Sequence, residues 1–482
     1  MPAGELSGRG RLRGVVAGLA AFTVMLVLPA PADMPVEAWR VAAVAVLMAS
    51  WWIIEAVPLP ATALVPIVCF PLLGISPLMK TAAPYADPVM FLFLGGFLLG
   101  IGLERRNLHK RAGLQAILLV GTSPRRLVGG FLVATALLSM WVSNSATAVI
   151  MLPVASAVLG LFASHCGADP ASQRNLDAAV TLAVAYGASI GGLGTLIGTP
   201  PNALLAAYME REHGVTIGFA QWMLIGLPMV VFLIAIVWPL LIRLHPVAAG
   251  ASDAGPAIRA ELDALGPMGP AERRVGIVFV LTALAWVARP LYGDFVPGLD
   301  DSVIAIIGAL CLFVIPSGEP DAGRLVAWED TRGLPWGILI LFGGGLSLAA
   351  AISSSGLAVW LGGAMSGLAG LPVLAVVAAA TLGMIFLTEL TSNTASAATF
   401  LPVGGAVALA IGVEPAVLAV PLALAASCAF MLPVATPPNA IVFASGRVTI
   451  MQMARAGLWI NLLATAVIVT LSYLFAGSLF GR

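Results

Sequence analysis

Leu137-Leu138-Ser139-Met140-Trp141-Val142-Ser143-Asn144-Ser145-Ala146 sets a polar cluster in the middle of an apolar segment that extends over 127–163. A lipid-facing helix does not tolerate such a cluster cheaply, because hydrocarbon offers no partner to a hydroxyl or an amide. A second segment, 371–412, carries Thr391-Ser392-Asn393-Thr394 at its centre. Both segments are too long for one simple span. Each is expected to form a helical hairpin that enters the membrane, stops part-way and returns, with the serine-asparagine cluster as its tip.

Working outward, further apolar segments fall near 14–29, 38–54, 59–74, 88–103, 176–210, 221–243, 275–292, 302–316, 334–352, 416–445 and 457–480. Of the 482 residues, 60% are hydrophobic and 10% charged, against about 25% charged in a soluble domain. This excludes a large water-soluble enzyme. The expected fold class is an all-α polytopic membrane protein, with about 11 transmembrane helices plus two re-entrant hairpins. Its location is a cell membrane, by type a bacterial inner membrane, crossed many times. Acidic and basic residues balance at 23 each, so no net field attracts nucleic acid. Arg9, Arg11 and Arg13 precede an apolar run from Val15 to Leu28 and an Ala30-Pro31-Ala32 that resembles a cleavage site. A retained first helix is the preferred reading, because an arginine-flanked first span is common in such proteins; a signal peptide is the alternative.

The two halves repeat. Ser143-Asn144 returns 249 positions later as Ser392-Asn393, and Leu152-Pro153-Val154 returns in the same register as Leu401-Pro402-Val403. Leu94-Gly95-Gly96 pairs with Phe342-Gly343-Gly344 at 248, and Thr199-Pro200-Pro201-Asn202-Ala203 with Thr436-Pro437-Pro438-Asn439-Ala440 at 237. The chain therefore divides into a tail and first helix (1–35), a first repeat with its hairpin (36–244), a cytoplasmic linker (245–274) and a second repeat with its hairpin (275–482). Residues 104–126 carry Arg105, Arg106, Lys110, Arg111, Arg125 and Arg126, whereas 353–375 carry no charge. The positive-inside rule puts the first stretch in the cytoplasm and the second outside. The five spans between them agree, so the repeat is expected to be inverted. Inverted repeats with broken helices mark secondary transporters, whose sites form at the repeat interface near the midplane.

The tips have suitable chemistry. A helix that stops exposes carbonyls, and one that starts exposes N–H groups. Carbonyls and hydroxyls suit a small hard cation, N–H groups suit an anion, and asparagine offers both an acceptor and a donor. Ser139 lies one helical turn before Ser143, and Thr388 one turn before Ser392, so each pair shares a face. Two consecutive prolines interrupt a span and free carbonyls such as those of Gly198 and Ala435. One such motif alone could be polar glue between helices. Two copies in the same order favour a ligand site.

Other features carry less. Cys69, Cys166, Cys311 and Cys428 are scattered without a CxxC pair and read as small buried hydrophobes. His109, His165, His213 and His245 lack zinc spacing and read as solvated loop residues. Glu389 is open to two readings, a proton carrier or a carboxylate held by neighbouring donors; the first repeat has Met140 at that position. Glu55 reads as structural, and the glycine runs at 95–96 and 343–345 read as close helix packing. No nucleophile with a base and no continuous hydrophilic path is evident, so neither an intramembrane enzyme nor a channel has a foothold.

At these residues the sequence resembles the divalent anion:sodium symporter family, which includes dicarboxylate, citrate and sulfate carriers. The likeness covers nearly the whole chain: Trp51-Trp52-Ile53-Ile54-Glu55-Ala56-Val57-Pro58-Leu59-Pro60, Tyr85-Ala86-Asp87-Pro88, both tips and both Thr-Pro-Pro-Asn turns. It implies an elevator-type carrier, usually a homodimer in the lipid, with a scaffold and a moving part. It also implies two sodium sites, one from Ser139, Ser143, Asn144 and the Gly198 carbonyl, the other from Thr388, Ser392, Asn393 and the Ala435 carbonyl. Substrate carboxylates would meet Asn144, Ser145, Asn393 and Thr394, with Thr199, Pro200, Thr436 and Pro437 lining the site. Where the family has threonine at the third position of the first tip, this chain has Ser145. The hydroxyl survives and one methyl is missing, which bears on substrate shape.

The expected function is sodium-coupled uptake of C4 dicarboxylates such as succinate, malate or fumarate, with no cofactor beyond the coupling ions. No arginine or lysine is close in sequence to either tip, so a dianion must be balanced by sodium ions, helix N-termini and hydroxyls. A third carboxylate lacks an evident donor, which disfavours citrate. Sulfate stays open, as does sodium-independent anion exchange on the same fold.

Overall fold

The computed structural model describes residues 8–165, 170–246, 254–319, 323–364 and 370–480. Cys166 lies outside them. Among the described residues the chain is helical throughout, apart from one isolated backbone bridge between Pro316 and Arg324. Among the described residues seven helical stretches are long and apolar enough to cross a membrane: Gly10–Val27, Val36–Ile54, Leu78–Arg105, Phe219–Leu244, Pro270–Tyr292, Trp336–Ser354 and Ile450–Phe475. The other apolar segments are shorter or interrupted. The segment 59–74, for example, splits into Leu59–Thr62 and Val65–Leu72 around closely spaced prolines.

The order of elements recurs. Pro88–Arg105 is followed by a shorter helix Leu108–Val120, by paired helices Pro124–Ser139 and Asn144–His165, by a broken pair Pro170–Gly192 and Pro200–His213, and by the long Phe219–Leu244. In the second half Trp336–Ser354 is followed by Leu357–Ala364, by Val373–Thr388 and Asn393–Ala410, by Ala416–Ala426 and Pro437–Ala444, and by Ile450–Phe480. Local chemistry sets these boundaries. Asp87 caps its helix by accepting from Val89 N at 3.1 Å, with Pro88 opening the first turn. Asn107, at φ 55°, then breaks the chain before Leu108.

The halves are tied together at several points. Asp301 Oδ2 accepts from Phe219 N at 2.8 Å and pairs with Arg289 at 3.2 Å, so one carboxylate joins the start of the first half's last helix to the second half. Phe219 stacks on Trp286 at 4.5 Å and on Trp141 at 6.0 Å, which props the first tip from behind. A Cβ on Gly95 would lie 2.6 Å from the Ala305 carbonyl carbon, so glycine there permits direct helix contact. The basic stretch is bound up in ion pairs: Arg106 with Glu319 (2.9 Å), Lys110 with Glu261 (3.0 Å), and Arg111 with Glu272 in a two-point contact. Glu261 belongs to the helix Gly255–Ala264, which docks through Ala254 N to Thr122 O at 3.1 Å.

Three of the histidines differ from the expectation of solvated loop residues, and the side chain of His165 lies outside the described residues. His109 and His245 are buried, and His109 Nδ1 lies 2.8 Å from Leu103 O. His213 Nε2 lies 2.9 Å from the Tyr208 hydroxyl. For His109 and His213 the partner is a carbonyl or hydroxyl five or six residues away, at a spacing that carries no sequence signature.

Candidate functional site

Each tip is a four-residue turn between two helices. The first arm of the first hairpin ends at Ser139 and the second starts at Asn144; in the other hairpin the limits are Thr388 and Asn393. Ser143 Oγ accepts from Ala146 N at 3.3 Å, a conventional cap. Ser139 and Thr388 are fully buried just behind the tips. Ser139 Oγ lies 2.7 Å from both Asn144 Oδ1 and Ala188 O. Thr388 Oγ1 lies 2.8 Å from Asn393 Oδ1 and 2.9 Å from Ala426 O. The two halves thus repeat one arrangement, hydroxyl to asparagine amide and hydroxyl to a carbonyl of the broken helix.

The prolines act differently from simple helix breakers. Pro200 and Pro201, and likewise Pro437 and Pro438, occupy the first positions of the new half-helix, with Thr199 and Thr436 as the extended residues before them. The leading half-helices have already ended at Gly192 and Ala426. Because proline has no N–H, these half-helices direct a dipole at the site but little hydrogen-bond donation. The other helix starts at the cavity are the second arms of the hairpins, which begin at Asn144 and Asn393 and carry no proline in their first turn.

A single cavity of about 760 Å³ gathers both motifs. Ser143, Asn144, Ser145, Gly198, Thr199 and Pro200 line it from the first half; Ser392, Asn393, Thr394, Ala435, Thr436 and Pro437 line it from the second. Of the site residues expected from sequence, Ser139 and Thr388 alone stand behind the wall.

The oxygens near the first tip suit a hard cation. The amide atom of Asn144 nearest Ser139 Oγ lies 2.7 Å from it and 3.2 Å from both Ala188 O and Gly198 O. With nitrogen there, it donates hydrogen bonds to these oxygens; with oxygen there, a ring of hydroxyl, amide and carbonyl oxygens converges. Such uncharged oxygens favour a small hard ion over a softer transition metal. Among the described residues no three His, Cys, Asp or Glu side chains come together as a metal site.

Several wall residues were not legible as site residues. Phe93, Phe97 and Ile338 form an apolar side of the cavity, and Phe93 packs edge-to-face on Phe97 at 5.3 Å. Thr391, within the second tip, also lines the cavity, its hydroxyl bonded to Leu387 O at 2.9 Å and lying 2.6 Å from Ser396 Oγ. Arg11 and Glu55 also line the cavity. Arg11 corrects the expectation that the site lacks a basic side chain: none is near the tips in sequence, but packing of the first helix brings one to the wall. Glu389 is held by donors. Its Oε1 accepts from Phe430 N (2.7 Å), Met431 N (2.8 Å) and Asn461 Nδ2 (2.7 Å), and its Oε2 from Leu432 N (3.0 Å).

The chain matches the family model of the sodium:sulfate symporter transmembrane region over residues 10–481. It is 41% identical to the sodium-dependent dicarboxylate transporter SdcS of Staphylococcus saprophyticus, over 98% of this chain and 92% of the relative. It is likewise 41% identical to SdcS of a bovine Staphylococcus aureus strain, over 96% and 91% of the two chains. Among solved structures, the Alcanivorax borkumensis YdaH transporter superposes with a TM-score of 0.54 at 17% identity, over 84% of this chain and 87% of that one. At that identity the likeness concerns fold alone.

Proposed function

Because the chain belongs to the sodium:sulfate symporter family, we propose that it carries C4 dicarboxylates such as succinate, malate and fumarate into the cell together with sodium ions. The observation that carries this reading is the convergence of both tips and both Thr-Pro-Pro turns on one cavity. The relatives named as sodium-dependent dicarboxylate transporters give the substrate class.

In this reading one sodium ion takes oxygens from Ser139, Ser143, Asn144 and Gly198, and the other from Thr388, Ser392, Asn393 and Ala435. The dianion lies between the tips. Its carboxylates meet Asn144 and Ser145 on one side and Asn393 and Thr394 on the other, with Thr199, Pro200, Thr436 and Pro437 around it. Two sodium ions offset two carboxylate charges in a region of low dielectric, so neither ligand binds well without the other. Each asparagine gives its oxygen to a cation and its NH₂ to the anion. Cation and anion affinities are therefore linked, and linkage is reciprocal.

The moving part comprises the hairpins and broken helices, in an elevator-type cycle within a homodimer. The two halves, 36–244 and 275–482, lie inverted in the bilayer, joined by the cytoplasmic linker 245–274. The basic residues at 105–126 against an uncharged 353–375 support that orientation.

The test is uptake of labelled succinate into proteoliposomes with and without an inward sodium gradient, with sulfate and citrate as competitors. Uptake that follows the gradient supports the reading. Uptake that ignores sodium and requires an internal counter-anion would replace it with exchange, and stronger competition by sulfate would change the substrate.

A further inference from the structure

The asparagine of each Thr-Pro-Pro-Asn run closes the break that precedes it. Asn202 Nδ2 donates to Gly192 O (2.9 Å) and Thr195 O (2.8 Å). Asn439 Nδ2 donates to Ala429 O (3.1 Å) and Leu432 O (3.0 Å). The acceptors correspond position for position, 237 residues apart, as the two asparagines do. Both asparagines are fully buried, and neither lines the cavity.

The bracketed carbonyl does more than end a helix. Thr195 O also accepts from Gly198 N at 3.4 Å, and Leu432 O accepts from Ala435 N at 3.2 Å. Gly198 and Ala435 are the residues whose own carbonyls the proposed function assigns to the two cation sites. The same bracketed residue reaches the hairpin as well. Thr195 Oγ1 donates to Met140 O at 2.5 Å, and Leu432 N donates to Glu389 Oε2 at 3.0 Å. Met140 and Glu389 occupy equivalent positions, each next to the buried hydroxyl residue of its tip. One pair of positions is thus joined in both halves, by hydroxyl to carbonyl in the first and by amide to carboxylate in the second. The bonds differ chemically while the same pair of positions is joined, so the connection is what the two halves share.

We infer that Asn202 and Asn439 are positioning residues for the two cation sites, holding the Gly198 and Ala435 carbonyls in register with Asn144 and Asn393 through Thr195 and Leu432. The inference rests on the sodium-coupled reading above. Neither asparagine touches the anion, so its removal degrades cation binding first. A carbonyl that is free to turn costs a small ion one of its few ligands, and such ions tolerate ligand misplacement poorly.

The experiment measures succinate uptake by proteoliposomes against sodium concentration for the parent, Asn202→Ala, Asn439→Ala and Thr195→Val, with thermal stability read on the same preparations. Asn202→Ala and Asn439→Ala are expected to raise the half-saturating sodium concentration by about tenfold. The KM for succinate at saturating sodium should stay within about twofold of the parent. Thr195→Val, which loses only the tie to Met140, should move sodium dependence in the same direction by a smaller factor. If an alanine variant does not fold, Thr195→Val decides the matter. Unchanged sodium dependence in folded variants, whether or not their stability falls, overturns the positioning role. Sodium-independent uptake by the parent itself overturns the symport reading and this inference with it.

Discussion

The hydroxyl of Ser139 lies 2.7 Å from the Asn144 amide across the first tip, and the Thr388–Asn393 pair repeats the contact at 2.8 Å. A buried side chain thereby fixes an asparagine whose other end faces the cavity. Asn144→Ala and Asn393→Ala remove the oxygen and the NH₂ together and leave buried partners unpaired. That costs about 1–3 kcal/mol, or roughly five- to 150-fold in affinity. Succinate binding measured calorimetrically in detergent should show a smaller sodium-dependent gain in both variants than in the parent. An undiminished gain in both would mean that the tips do not couple ion to substrate.

Gly192 gives a second handle on the same geometry. A Cβ at this position would lie 2.8 Å from Asn144 Oδ1 and 3.2 Å from Gly198 O, two atoms of the proposed first cation site. Gly192→Ala must displace one of them, and overpacking of this kind costs about 1–3 kcal/mol. Gly383→Ala is the control, because its Cβ would meet nothing within 4 Å. Sodium-driven uptake is expected to fall at least tenfold for Gly192→Ala (about 1.4 kcal/mol) and to remain at the parent level for Gly383→Ala. Equal activity of the two variants would remove Gly192 from the argument.

The tips and turns were legible in the sequence for a simple reason: polar residues and paired prolines in an apolar span have few explanations, and a repeat halves the alternatives. The apolar wall was not legible, because Phe93, Phe97 and Ile338 have the composition of any lipid-facing residue and only topology turns them inward. Arg11 was missed for a related reason: it is remote in sequence from both tips, and helix packing sets its place. Glu389 could not be resolved by pattern, since three of its four partners are backbone N–H groups that carry no sequence signature. The same holds for His109, whose partner is the Leu103 carbonyl.

Ser145 is where substrate shape is expected to respond most gently. It lines the cavity beside Asn144, and a threonine there adds a methyl while keeping the donor. One methylene-sized change in a pocket shifts discrimination by about 1–3 kcal/mol. Ser145→Thr should keep sodium-driven uptake and change the ratio of succinate to sulfate competition. Loss of uptake of every anion by a folded Ser145→Thr variant would exclude Ser145 from the substrate wall as proposed.

Orientation can be tested without reference to transport. Gln115 is exposed on Leu108–Val120, and Gly363 is exposed on Leu357–Ala364, the corresponding helix of the second half. Single cysteines at these positions, in a background whose four native cysteines are replaced, should react with an impermeant thiol reagent from opposite sides of the membrane. Labelling from one side only would refute the inverted repeat, and with it the charge argument drawn from 105–126.

Glu389 separates anchoring from proton transfer. Its two oxygens receive four donors, three of them consecutive N–H groups of the unwound stretch Phe430–Leu432. A carboxylate is an acceptor at both ends, whereas a carboxamide turns an N–H toward one of those donors. Glu389→Gln therefore sets a donor against a donor and loses charge-assisted bonds, each worth about 1.5–3 kcal/mol. The consequence is a loosened second break, which carries Ala435, a proposed cation ligand. Thermal stability should fall, and the half-saturating sodium concentration should rise, while the pH profile of the remaining uptake keeps the parent's shape. A carboxylate that shuttled protons would behave otherwise: its amide would flatten that profile, and sodium dependence would be spared. The pH profile is the decisive measurement, because anchoring and proton transfer both predict lower activity and only the second predicts a change in its dependence on protons.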